Sequence, residues 1–207
     1  MTRLDALAAE VRACTLCTDL PLGPRPIIRV SSTARLLIAS QAPSTKVHVS
    51  GTPWTDASGH RLRGWLGLSA EEFYDGARVA IVPMGLCYPG RLPRGGDAPP
   101  RPACAPRWRR PLLELMPAIR LTLLVGSYAQ RDALGPGAMT DRVRGWREAL
   151  PRYFPLPHPS WRTGHWERQN PWFTEEVLPA VRDAVREALS SPCSHTPQGG
   201  SPFVPAL

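Results

Sequence analysis

The chain has 207 residues and 43% hydrophobic content, which suits one domain with a core of its own. Its net charge is +8, its pI about 9.9 and Lys46 its single lysine, so the excess charge is arginine, either for a nucleic-acid partner or as a reflection of genome base composition. No apolar run approaches a membrane span and the first ten residues carry three charges; neither an anchor nor a signal peptide is expected, and the expected compartment is the cytoplasm.

Residues 3–13 show helical spacing of apolar positions and end at Cys14. Residues 18–34 are rich in Pro, Ser and Thr and read as loop. Residues 35–40 are a short apolar run followed by turn residues, which predicts a buried strand. Residues 41–58 are mostly polar, with Pro43, Gly51 and Pro53, and read as a long loop of the kind that carries sites. Helices are expected over 59–68 and 70–74, and a second strand over 78–84. A loop dense in Pro, Gly and Arg fills 85–102. Helix is expected over 103–119, disturbed by Pro111 and Pro117. Residues 121–125 form the third strand, 127–134 and 139–150 are helical, and 153–156 form a short fourth strand. Residues 174–189 place Val177, Leu178, Val181, Val185 and Leu189 near one helix face. The Pro/Ser/Gly-rich stretch at 191–207 reads as a disordered tail.

Strands alternating with helices predict an α/β fold: three layers, α/β/α, around a central four-stranded parallel sheet in one domain over 1–190. Ligands in such sheets bind at the carboxyl ends of the strands. The loops after Ser40, Met84 and Leu156 all leave such ends and are expected to meet.

The third of these loops reads Leu-Pro-His-Pro-Ser-Trp-Arg over 156–162. Pro157 and Pro159 restrict the backbone on both sides of His158, which is therefore held in a stiff loop. Trp161 and Arg162 follow, an aromatic and a cation suited to stacking and phosphate contact. The bland alternative is a structural histidine between prolines.

Five cysteines occur. Cys14 and Cys17 form a Cys-x2-Cys pair, Cys87 and Cys104 a wider pair, and Cys193 lies in the expected tail. Two pairs of thiolates can build a four-cysteine zinc site or hold a [4Fe–4S] cluster, and plain burial is the competing account.

Together these marks resemble the uracil-DNA glycosylase superfamily, and within it the bacterial and archaeal iron–sulfur (family 4-like) branch. The likeness spans roughly residues 5–190. A strand runs into Ser40-Gln-Ala-Pro-Ser44, where the family has Gly-Glu-Ala-Pro-Gly. Gly51-Thr-Pro-Trp54 stands where it has Gly-Arg-Pro-Phe, and His158-Pro-Ser160 matches its second motif.

The resemblance implies a monomeric glycosylase that hydrolyses the N-glycosidic bond of uracil in DNA and leaves an abasic site. It implies a [4Fe–4S] cluster on Cys14, Cys17, Cys87 and Cys104, with zinc the alternative. His158 is then the donor to the leaving base, and Trp54 the aromatic wall, unless it is simply a core tryptophan. Ala42, Ser44, Met84 and Ser160 are expected beside the substrate, with Ser44 and Ser160 on phosphates. Trp161 and Arg162 are expected on DNA. Gln41 replaces the motif glutamate; it can orient a water but cannot take its proton. Asp56 is the nearest carboxylate, either a water-activating group or the N-cap of a following helix. The region 82–87 lacks the family's base-reading asparagine, which predicts a looser base range that includes deaminated purines. A second expectation is a cluster-bearing nucleic-acid-binding protein that has lost catalysis.

Overall fold

Leu36–Ala39 (β1), Val79–Ile81 (β2), Leu121–Val125 (β3) and Tyr153–Leu156 (β4) form one parallel sheet, in the order β2-β1-β3-β4, in the computed structural model. The model describes residues 1–190; the expected tail, with Cys193, lies outside them. The helices in chain order are Arg3–Arg12 (α1), Thr45–Ser50 (α2), Ala57–Leu66 (α3), Ala70–Tyr74 (α4), Arg110–Glu114 (α5), Ser127–Leu134 (α6), Met139–Arg144 (α7), Thr163–Gln169 (α8) and Leu178–Leu189 (α9). No described helix is long and apolar enough to cross a membrane.

β1, β2 and β3 are apolar at nearly every position because both faces of the sheet are covered. Alternation then sorts the side chains. Leu36, Ile38, Leu123 and Val125 pack with Leu62 and Leu66 of α3 and with Val181 and Val185 of α9. Leu37 and Ala80 turn to the opposite face, against Leu4, Ala8 and Val11 of α1 and Leu112 of α5. The three-layer α/β/α reading therefore holds. Pro155 interrupts donation in β4, which a strand at the sheet edge tolerates.

From β1 the chain steps outward to β2 and then returns to β3 on the other side of β1. The crevice where the strand order reverses lies at the carboxyl ends of β1 and β3, the usual ligand position of open α/β sheets.

Local structure departs from expectation in several places: α8 was not expected, and the helix expected over 139–150 breaks at Gly145 into α7 and a 3-10 turn, Trp146–Ala149. The long loop over 41–58 contains α2, capped by the Ser44 side chain and closed by Gly51 in the left-handed conformation. The helix expected over 103–119 shortens to a wide π-type turn, Ala105–Arg109, followed by α5. The last helix begins with a second π-type turn, Phe173–Val177, before α9, whose second residue is Pro179.

Candidate active site

A cavity of about 490 Å³ opens at the carboxyl ends of the strands. Its lining comes from Ser40–Ser44 after β1, from Trp54 and Asp56 just before α3, from Pro83 and the 91–97 segment after β2, and from His158 and Ser160–Arg162 after β4. The three loops expected to converge do converge. The volume suits a single base or nucleoside.

His158 stands at the end of β4. Its carbonyl accepts from Ser160 N–H at 2.8 Å and from the Thr163 hydroxyl, so the loop folds back on itself and fixes the ring. Beneath it, the Gln130 amide donates to the carbonyls of Leu156 (2.8 Å) and Leu124 (3.3 Å), tying the ends of β3 and β4 together. Burial pushes the imidazole below the ordinary histidine range, and the Asp56 carboxylate pulls the other way. The net shift is downward, so the ring is neutral at neutral pH and one nitrogen carries a donatable hydrogen.

Trp54 stacks on His158, with ring centroids 5.7 Å apart and 30° between planes. It is 7% exposed and is also part of the core behind the pocket, so the wall and core readings coincide. Its φ of 60° is a left-handed conformation that a bulky residue adopts at a cost of about 1–3 kcal/mol. Surrounding bonds hold it there. The Trp54 carbonyl accepts from Tyr74 Oη at 2.9 Å and from Arg63 Nη1 at 3.2 Å. Gly59 lies directly under that carbonyl, and a Cβ there would fall 1.8 Å from its oxygen. Tyr74, Arg63 and Gly59 support the site without belonging to any motif. Sequence reasoning missed them because these contacts link α3 and α4 to the β1 loop only after folding.

On the wall facing His158, polar groups are already engaged. Gln41 Nε2 donates to the Ala98 carbonyl at 2.9 Å and points to that of Asp97 at 3.5 Å, which leaves Oε1 as its free polar atom. The Asp56 carboxylate accepts from Ser44 Oγ at 2.8 Å and from Gly59 N–H at 3.0 Å. Asp56 is thus the N-cap of α3 while also lining the pocket. Ser44 caps α2 and buttresses Asp56.

A family model, the uracil DNA glycosylase superfamily, matches residues 28–182. The chain belongs to the uracil DNA glycosylase superfamily. It is also similar to the solution NMR structure of a Methanosarcina acetivorans protein provisionally assigned as a uracil DNA glycosylase, at 16% identity over 77% of this chain and 97% of that one, with a TM-score of 0.42.

Within this superfamily frame, most of the residues singled out from the sequence share the pocket: Gln41, Ala42, Ser44, Trp54, Asp56, His158 and Ser160. Trp161 and Arg162 reach its mouth. Trp161 is 82% exposed, with the Arg162 guanidinium 5.4 Å from its ring centre. Met84 does not reach the pocket; it packs with Ala39, Leu124 and Ala129, and Pro83 lines the cavity in its place. Strand alternation continued past β2 accounts for this, since Ile81 and Pro83 point one way and Val82 and Met84 the other. Arg109 is buried, paired to Asp132 at 3.2 Å and bonded to the Val82 carbonyl.

The match begins after Cys14 and Cys17, but folding brings all four half-buried cysteines into one locale, unbridged. Burial first, then the neighbouring Cys104, Cys14 and Cys17, push the Cys87 thiol up to about 11. Burial, Cys17 and Cys14 likewise push Cys104 up, while Leu86 N–H donates to its sulfur at 3.4 Å. Thiolates this close repel one another, so without a cation among them the protonated form is favoured. Among the described residues, no three Cys, His, Asp or Glu side chains form a ready-made shell for a single metal ion.

Proposed function

We propose that this protein is a DNA glycosylase that takes uracil out of the stack and hydrolyses its N-glycosidic bond, leaving an abasic site. The observation that carries the reading is the half-buried imidazole of His158, stacked on Trp54 in a base-sized pocket at the strand ends of a chain from this superfamily. A flipped base in that pocket meets Trp54 as a wall and His158 as a donor to the oxygen on which charge develops. The lining at the end of β2, from Ile81 and Pro83 with Ile27 beside them, is apolar, and Gln41 after β1 brings the pocket its side-chain amide; the absence of an amide at the β2 end supports a base range extending to other deaminated bases. Trp161 and Arg162 suit contact with the DNA around the vacated position. Cys14, Cys17, Cys87 and Cys104 are proposed to hold a [4Fe–4S] cluster, with zinc the alternative, joining the N-terminal segment to the β2 loop. Iron, sulfide and zinc analysis of the purified protein separates those two.

The test is incubation with uracil-containing oligonucleotides, single- and double-stranded, followed by alkaline cleavage. A cut at the uracil position is the expected result. A second reading, DNA binding without catalysis, draws support from the prior engagement of Gln41 and Asp56. Binding of the same oligonucleotides without a cut at any deaminated base selects it.

A further inference from the structure

Hydrolysis needs a group that takes a proton from the attacking water, and the pocket is lined by two carboxylates, Asp56 and Asp97. Both oxygens of Asp56 already accept hydrogen bonds, from Ser44 and from Gly59. Asp97 differs. Among the described residues its carboxylate accepts no hydrogen bond and makes no ion pair, so its lone pairs are free for a water. The segment around it is shaped to hold it. Arg91 and Asp97 bridge as an antiparallel pair, Leu92 N–H bonds to the Gly96 carbonyl at 2.9 Å, and Gly95 and Gly96 turn the chain at φ of 85° and 89°. Gln41 fastens the base of this hairpin through the Ala98 carbonyl. Arg162 covers its tip, close enough that a Cβ on Gly96 would sit 3.2 Å from its guanidinium.

We propose that Asp97 is the water-activating catalytic residue and that Gln41 is a positioning residue which holds the Asp97 hairpin over the pocket. This rests on the glycosylase reading. In the step, the water oxygen bonds to the sugar C1′ while its proton passes to the Asp97 carboxylate. The C1′–N bond breaks and its electron pair leaves with the base, whose oxygen accepts from His158. The charged groups acting on Asp97 are Arg91 across the hairpin and Asp56 from the β1 loop; Arg162 lies against the glycines of the tip, and His158 from the β4 loop shares the pocket. Asp97 is exposed on the pocket side of the hairpin, where partial desolvation raises its proton affinity, Arg91 opposes this and Asp56 adds to it.

The test is single-turnover excision of uracil by the full chain as a function of pH, for wild type, Asp97→Asn, Asp97→Glu and Gln41→Ala, with DNA affinity and thermal melting measured alongside. Asp97→Asn is isosteric. It is expected to lose about 100-fold or more in rate, to lose the acid limb of the pH profile, and to keep its DNA affinity and melting point. Asp97→Glu is expected to recover part of the rate with the acid limb restored. Gln41→Ala is expected to lose about tenfold and keep the acid limb. Wild-type rate and an unchanged acid limb in Asp97→Asn overturn the proposal while leaving the glycosylase reading intact. A rate loss matched by lost DNA binding or a lowered melting point also overturns it, since the role is then structural. Absence of excision by wild type overturns the glycosylase reading and this proposal with it.

Discussion

The two walls of the pocket are held in place by different means. The His158 wall takes its turn from its own stretch of chain, with prolines on either side and a loop bonded to its own next turn, and is anchored by two longer ties, from Gln130 to the Leu156 carbonyl and from Arg61 to the Ser160 carbonyl. The wall opposite is fixed across the chain. Gln41 reaches 57 residues to Ala98, Ser44 braces Asp56, and Tyr74 and Arg63 hold the Trp54 carbonyl in a strained conformation. The turn of the first wall resists perturbation because its geometry is local. The second depends on several separate elements keeping register, and the polar groups that look reactive in its sequence are in good part its fasteners.

Perturbing the fasteners probes that contrast. The largest stability loss is expected from Gly59→Ala, whose Cβ would collide with the Trp54 carbonyl. A loss of about 3 kcal/mol is expected from urea unfolding; a neutral result would mean that Trp54 is not held as described. Trp161→Ala perturbs the other wall, where the side chain is exposed and lies against the Arg162 guanidinium. Stability should be unchanged and affinity for uracil-containing DNA weakened by about 1–3 kcal/mol in a fluorescence titration. Ser44→Ala removes the cap of α2 and one partner of Asp56. A loss of about 1 kcal/mol is expected in the same unfolding experiment.

The smallest effect is expected from pH. His158 has a folded-state proton affinity below that of the unfolded chain, owing to burial. Between the two values the unfolded state binds more protons, so stability rises with pH there. It is fully present above histidine's ordinary value of about 6.5 and falls as the pH drops below it. His48 is shifted the same way by burial and by Arg25. Melting curves of His158→Gln against wild type isolate the first contribution: the variant should lose less stability on acidification. Identical acid sensitivity would contradict the placement of His158.

This difference between the walls also explains what could be read in advance. β3 and β4 match their sequence bounds because each is a short apolar run with clear breaks, and His158 was legible because prolines act on their neighbours. The α2 helix was missed although its signals, Ser44 before it and Gly51 after it, stand in the sequence; the polar character of the whole 41–58 stretch masked them. Asp56 was open to two readings, cap and pocket carboxylate, and the structure gives it both places. The hairpin bearing Asp97 was not legible. A loop 41 residues downstream of Asp56 comes to the same pocket only because β2 lies beside β1 in the sheet. The burial of Arg109 was illegible for the same reason, since its partner Asp132 arrives with α6.

The central claim is that the His158 wall stabilises a departing base. Single-turnover excision of uracil by wild type and His158→Ala at neutral pH, with DNA affinity measured in parallel, tests it most directly. A fall of about 10²–10³-fold in rate with affinity retained is the expected result. Equal rates in the two proteins would contradict it.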